Sequence, residues 1–193
     1  EPLNKDRICL GHRGVWWAEI ETKGRIAHGS MPFLGDSAIR HMGAVITKME
    51  AELFPALASR STAMPVVPPQ ARQSTLNINS LHGGQPEPEE GFDGFPAPVV
   101  AHSARMIIDR RYLIEESPEA VRQEMIDLLE SVKSERPEFR YEVRDLWTIP
   151  PTMTAKDAPV VTAVSAAISD VLGLDPQYVV SPGTYDQKHI DRI

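Results

Sequence analysis

Residues 117–132 read SPEAVRQEMIDLLESV. Serine caps a helix through its side-chain oxygen, proline suits the first turn where its missing N–H is not needed, and Glu119 faces the positive end of the helix dipole. Val121, Met125, Leu128, Leu129 and Val132 then recur at steps of three and four, the spacing of one buried stripe. Strand patterns flank this helix. Val99 to Tyr112 precedes it, and Phe139, Tyr141, Val143 and Trp147 alternate after it until Pro150-Pro151 stops the run. Upstream, Trp16, Ala18 and Ile20 alternate against Trp17, Glu19 and Glu21, which predicts a strand over Gly14 to Thr22. Ile39, Met42, Ile46, Met49 and Leu53 predict a first helix, with Asp36 as its N-cap, and Thr75 to Leu81 reads as a further strand. The order β-α-β-β-α-β is that of a ferredoxin-like α+β unit, a four-stranded antiparallel sheet with two helices on one face.

The connections carry their own signals. Pro55 to Arg72 holds four prolines and predicts an extended, loop-like path. His82 to Pro98, rich in proline, glycine and acidic residues, reads as a long exposed loop. Beyond the proline pair, Asp157 is expected to cap a helix with the stripe Val160, Val164, Ile168 and Val171, closed by Gly173. Tyr178-Val179-Val180 then forms a short strand running into Ser181-Pro182-Gly183-Thr184. This tail is expected to belong to a second, incomplete α/β unit. The division read from the sequence is 1–12, 13–150 and 151–193. Glu1 is not preceded by methionine, and a new helical pattern opens at Asp191-Arg192-Ile193, so the reading is of a piece cut from a longer protein.

Composition narrows the classes. With 193 residues, 41% of them hydrophobic and 24% charged, the chain can bury an ordinary core. A formal net charge of −7, with the two signs interspersed, argues against nucleic acid as a partner. One cysteine, Cys9, allows neither an internal disulfide framework nor a thiolate zinc cluster and fits a reducing cytoplasm. No apolar run approaches the roughly 20 residues that span a bilayer, and no signal segment opens the chain.

Local patterns alone do not close a catalytic set. No two of His12, His28, His41, His82, His102 and His189 stand at the i, i+4 spacing of a helical zinc pair, and neither a G-x-S-x-G elbow nor a phosphate-cradling loop is present. His28, within Gly24-Arg25-Ile26-Ala27-His28-Gly29-Ser30-Met31-Pro32, is by itself an ordinary loop histidine. Arg111, on the strand face shared with Arg105, Ile107 and Asp109, is by itself a sheet arginine paired with Asp109. Gly183-Thr184 followed by Asp186 is a polar turn that either binds a carboxylate or simply caps a helix.

Taken in order, the motifs say more. Glu1-Pro2, His12-Arg13-Gly14 opening a strand, G-x-x-x-H-G-S-x-P at Gly24 to Pro32, Thr75-Leu76-Asn77-Ile78, His82-Gly83-Gly84, Asp109-Arg110-Arg111 and Gly183-Thr184-Tyr185-Asp186 together resemble the co-catalytic zinc hydrolases. These include acetylornithine deacetylase, succinyl-diaminopimelate desuccinylase, aminoacylase and glutamate carboxypeptidase. The resemblance covers nearly the whole chain. It implies a lid and dimerisation domain inserted between two halves of a zinc-binding domain, in a homodimer that hydrolyses an N-acyl amino acid or short peptide with two zinc ions.

By that resemblance, Glu1 matches a terminal zinc ligand. His28 matches a lid histidine that reaches the neighbouring subunit's site and steadies the oxyanion. Arg111 matches the arginine that holds a substrate carboxylate, Gly183 and Thr184 a substrate-contacting turn, and His12 and Arg13 basic substrate contacts. The remaining metal ligands and the general-base glutamate of that family have no counterpart in this chain, so the chain alone is expected to be inactive; the alternative reading is a non-catalytic dimerisation or ligand-binding module. Two departures count against a succinylated substrate: Pro98-Val99-Val100-Ala101 stands where an asparagine ahead of a V-I-P run is common, and Met31 stands where desuccinylases tend to carry tyrosine.

Overall fold

The computed structural model describes residues 4–85, 91, 94 and 97–186. Two sheets organise them. Strands β2 (Gly14–Lys23), β3 (Thr75–Gly83), β4 (Ser103–Tyr112) and β5 (Arg140–Ile149) form an antiparallel sheet in the order β3-β4-β2-β5. Helices α1 (Ala38–Lys48) and α3 (Pro118–Glu135) cover one face, so the expected α+β arrangement of β-α-β-β-α-β is the one found. Trp16, Ile20, Met42, Val45, Met106, Ile108, Met125, Leu129 and Phe139 fill the layer between sheet and helices. The alternation in β2 explains this directly: Trp16, Ala18 and Ile20 are almost wholly buried, while Trp17, Glu19 and Glu21 look out from the open face.

A smaller sheet joins β1 (Arg7–His12), β6 (Thr152–Met153) and β7 (Gln177–Ser181) in the order β6-β1-β7, with β1 parallel to β7. Helix α4 (Pro159–Leu172) packs on it through Val161, against Ile8, Leu10, Met64, Val66 and Val180. Gly173 ends α4 in the left-handed conformation, φ 64°, as a C-terminal glycine should. Among the described residues no helix is long and apolar enough to cross a membrane.

Several local expectations are corrected. Ser37, not Asp36, caps α1, its hydroxyl accepting from the Arg40 amide, because the Asp36 carboxylate is engaged by His41 Nε2 at 2.9 Å. The helix also outlasts its expected end. A widened π turn over Met49–Leu53 leads into α2 (Phe54–Ala58) and accommodates Pro55, whose ring in a regular helix clashes with the carbonyl four residues back. Ala158, without a side-chain cap bond, precedes α4 in place of Asp157; Pro159 begins the helix. Strand β4 starts at Ser103 instead of Val99, since residues 97–101 bond to a different segment. At Gly24, just past β2, the chain runs so close to residue 36 that a Cβ would lie 2.1 Å from the Asp36 carbonyl oxygen. The next residues are then held by 97–101: Val100 N–H donates to the Ala27 carbonyl, and Ala38 N–H to that of Ala101.

Candidate functional site

The two sheets meet where β1 passes into β2. Arg13, the link between them, is 6% exposed. Its Nε donates to the Pro182 carbonyl at 3.3 Å and one terminal nitrogen donates to the Gln73 carbonyl at 2.9 Å, while its own amide bonds the Ser181 carbonyl. These acceptors are neutral. Burial, then the neighbouring charge of Arg111, lower its pKa to about 10, and Asp109 offsets only part of the change. Arg13 is therefore still a cation at neutral pH.

Arg111 stands opposite Val15 on β2 and Thr75 on β3. It grips Asp109 through Nε at 2.6 Å and Nη2 at 2.9 Å, and its Nη1 donates to Thr184 Oγ at 3.2 Å. With one carboxylate between two guanidiniums, this corner carries net positive charge. Arg110 is not part of that excess. It points to the helix side, where Glu116 receives it at 2.7 Å. The corner is thus suited to hold an anion, with a planar fork for a carboxylate on one side and a hydroxyl from the turn after β7 on the other.

The other expected residues fall as follows. His12 is fully buried, opposite Ser181, and its Nδ1 donates to the Arg13 carbonyl at 2.9 Å, which places it behind the corner. The Gly183 amide is taken by Ser181 Oγ at 3.0 Å, so Thr184 is the member of that turn that reaches Arg111 with a side chain. Glu1 lies outside the described residues, as does most of the acidic loop. Among the described residues no three His, Cys, Asp or Glu side chains gather into a metal site. Asp109, Gln73 and Thr75, which orient the two arginines, were legible only as a strand face and its neighbours.

His28 is elsewhere. It projects, exposed, from the loop after β2, bridged to Val99, with the Gly29 amide on the Pro98 carbonyl. Its Nδ1 accepts the Ser30 amide at 3.2 Å and lies 2.7 Å from Ser30 Oγ, an arrangement that in the neutral ring leaves the proton on Nε2. Val15 and Lys23 are the β2 partners of Arg111 and Ser103. Eight residues of strand, at about 3.3 Å each, put roughly 26 Å between those two ends. His28 lies beyond the far end.

The four-stranded sheet with helices on one face thus carries a cationic corner at one end and an exposed histidine beyond the other. Residues 10–137 match the peptidase dimerisation domain of the M20 family, and the chain belongs to that family. Among solved structures, the chain is similar to an M20 family metallo-carboxypeptidase of Sulfolobus solfataricus, with 17% identity and a TM-score of 0.70, covering 93% of this chain and 48% of that one. It is also similar to human carnosine dipeptidase 1, with 16% identity, a TM-score of 0.69 and coverage of 97% and 47%. A tripeptidase of Staphylococcus aureus follows at 21% identity, TM-score 0.67 and coverage of 97% and 43%. The chain thus spans less than half the length of these proteins.

Proposed function

We propose that the protein carrying this chain is a metal-dependent amide hydrolase acting on an N-acyl amino acid or a short peptide, and that this chain is its substrate-closing lid and dimerisation unit. The observation that carries the reading is the cationic corner. Arg111, already fixed by Asp109 and Thr184, offers its free edge to a substrate carboxylate while Arg13 adds charge from beneath. Zinc in this reading is held mainly by residues beyond the described ones, where it supplies the activated water; the described residues contribute substrate contacts.

His28 serves the site of the neighbouring subunit. Its separation from Arg111 within one chain argues for that, and its Nε2 donor matches the need of a developing oxyanion, an interaction worth about 3 kcal/mol of barrier. The homodimer pairs through the lid, whose β3 is an open sheet edge beside the exposed Ile39 and Leu81. The names of the similar structures, a carboxypeptidase, a dipeptidase and a tripeptidase, support a peptide substrate alongside the acyl amino acid.

The deciding experiment is hydrolysis of a panel of N-acetyl, N-succinyl and N-formyl amino acids and dipeptides by the zinc-loaded full-length protein. Cleavage abolished by chelator and dependent on a free substrate carboxylate supports the reading. Folded, metal-loaded protein that cleaves no member contradicts it.

A further inference from the structure

One row of the open sheet face lies immediately outward of the Arg111 row. Asn77, Asp109, Trp17 and Trp147 stand side by side across all four strands. In the inner row Val15 and Ile149 are buried, at 0% and 3% exposure, but in the outer row Trp147 is 44% exposed. The Trp17 and Trp147 rings meet edge to face, centroids 5.7 Å apart at 79°. A register shift between Trp17 and Ala18 leaves Leu146 bulged and exposed beside them. Arg111 folds back over Asp109, so its charged head lies toward the same row as the indoles.

We infer that the Trp17–Trp147 pair is a specificity surface, taking the aromatic side chain or acyl group of the ligand whose carboxylate Arg111 holds. The inference rests on the carboxylate-binding reading of Arg111. Its geometry is that of one small ligand: Asp109 and Trp147 are two strand spacings apart, about 10 Å, which a carboxylate and an aromatic ring on a residue-sized ligand can bridge. Its chemistry is complementary. A rigid edge-to-face indole pair presents both a ring face and a ring edge to a third aromatic, and its half-exposed position next to a cationic fork combines apolar contact with one orienting polar group. The packed core of this sheet lies on its other face, so neither indole belongs to it.

The test is calorimetric titration of the full-length protein with N-benzoylglycine and N-acetylglycine, which share a carboxylate and differ in the ring. N-benzoylglycine is expected to bind about tenfold tighter, the scale of one well-made aromatic contact. Trp147→Ala removes that advantage, Trp147→Phe keeps most of it, and Arg111→Ala weakens both ligands. If Trp147→Ala leaves the ratio unchanged, or weakens both ligands equally, while Arg111→Ala still weakens both, the aromatic surface is not a subsite although the Arg111 reading stands. If Arg111→Ala weakens neither ligand, that reading fails and the inference goes with it.

Discussion

Arg111 binds Asp109 in a fork, Nε to one carboxylate oxygen and Nη2 to the other, and that pairing aims Nη1 across the boundary between the two sheets at Thr184. A guanidinium held at two points and still offering an edge loses little freedom when a ligand arrives. Lysine has one flexible point charge and cannot reproduce the fork. Arg111→Lys in the full-length protein is therefore expected to lower kcat/KM by about 100-fold, and Asp109→Asn to raise KM by about tenfold with a smaller change in kcat. Steady-state kinetics on any cleaved substrate reads both.

If His28 acts across the dimer, two dead variants should rescue one another. His28→Ala alone is expected to cut kcat by about 100-fold, the loss of one oxyanion donor. Mixed with Arg111→Ala and allowed to exchange subunits, it forms heterodimers in which one of two sites has an intact Arg111 and an intact His28. Recovery of about a quarter of the native rate is expected when half the dimers are mixed. No recovery after verified exchange places both residues in one subunit's site.

A buried ion network ties the end of β4 to α3 and sets an acid limit on stability. Arg110, with a side chain 2% exposed, donates to Glu116, which also accepts from Ser74, the Leu113 amide and Arg60. Burial pushes the Glu116 carboxyl up, but the charge of Arg110 and these hydrogen bonds outweigh it and hold the group below the usual carboxylate range. A depressed folded pKa contributes stability above the unfolded value, near ~4.3, that is lost as pH falls through the folded value. Glu116→Gln is expected to cost roughly 3 kcal/mol at pH 7 by leaving Arg110 buried with weaker compensation, and the gap should narrow progressively as pH falls below the unfolded value. Urea unfolding across pH measures it; a gap that stays constant to pH 3 contradicts the assignment.

Gly14 lies against the Tyr112 ring. A Cβ there would sit 2.4 Å from Cζ, and the ring cannot withdraw, because Tyr112 is fully buried and its hydroxyl donates to the Ile149 carbonyl at 2.9 Å. Gly14→Ala is expected to destabilise by about 2 kcal/mol through overpacking, and Tyr112→Phe by about 1 kcal/mol through the lost bond. The same burial raises the Tyr112 pKa to about 12, so its phenol should not titrate below that pH in the folded protein. Thermal melts check the two substitutions, and ultraviolet titration checks the phenol.

Two-residue and three-to-four-residue periodicities, proline, glycine and capping residues were enough to order the strands and helices of the four-stranded unit, because each depends on side chains close in sequence. The same locality explains the misses. Whether Asp36 or Ser37 caps α1 depends on His41 competing for the carboxylate, and whether residues 99–102 join β4 depends on the bonds that Pro98, Val100 and Ala101 make to Gly29, Ala27 and Ala38. Strand β1 went unread since its partners, β6 and β7, are more than a hundred residues away.

For the site, the sequence by itself determined which side chains exist and, through an ordered set of motifs, which family they resemble. Tertiary structure alone decided which of them meet. Arg13 reaches Gln73 across 60 residues and Arg111 reaches Thr184 across 73, contacts that follow from strand register and the docking of two sheets, neither of which is written in local spacing. It likewise put His28 at the opposite end of β2 from Arg111, because a ten-residue strand is a rigid spacer whose ends cannot share one site.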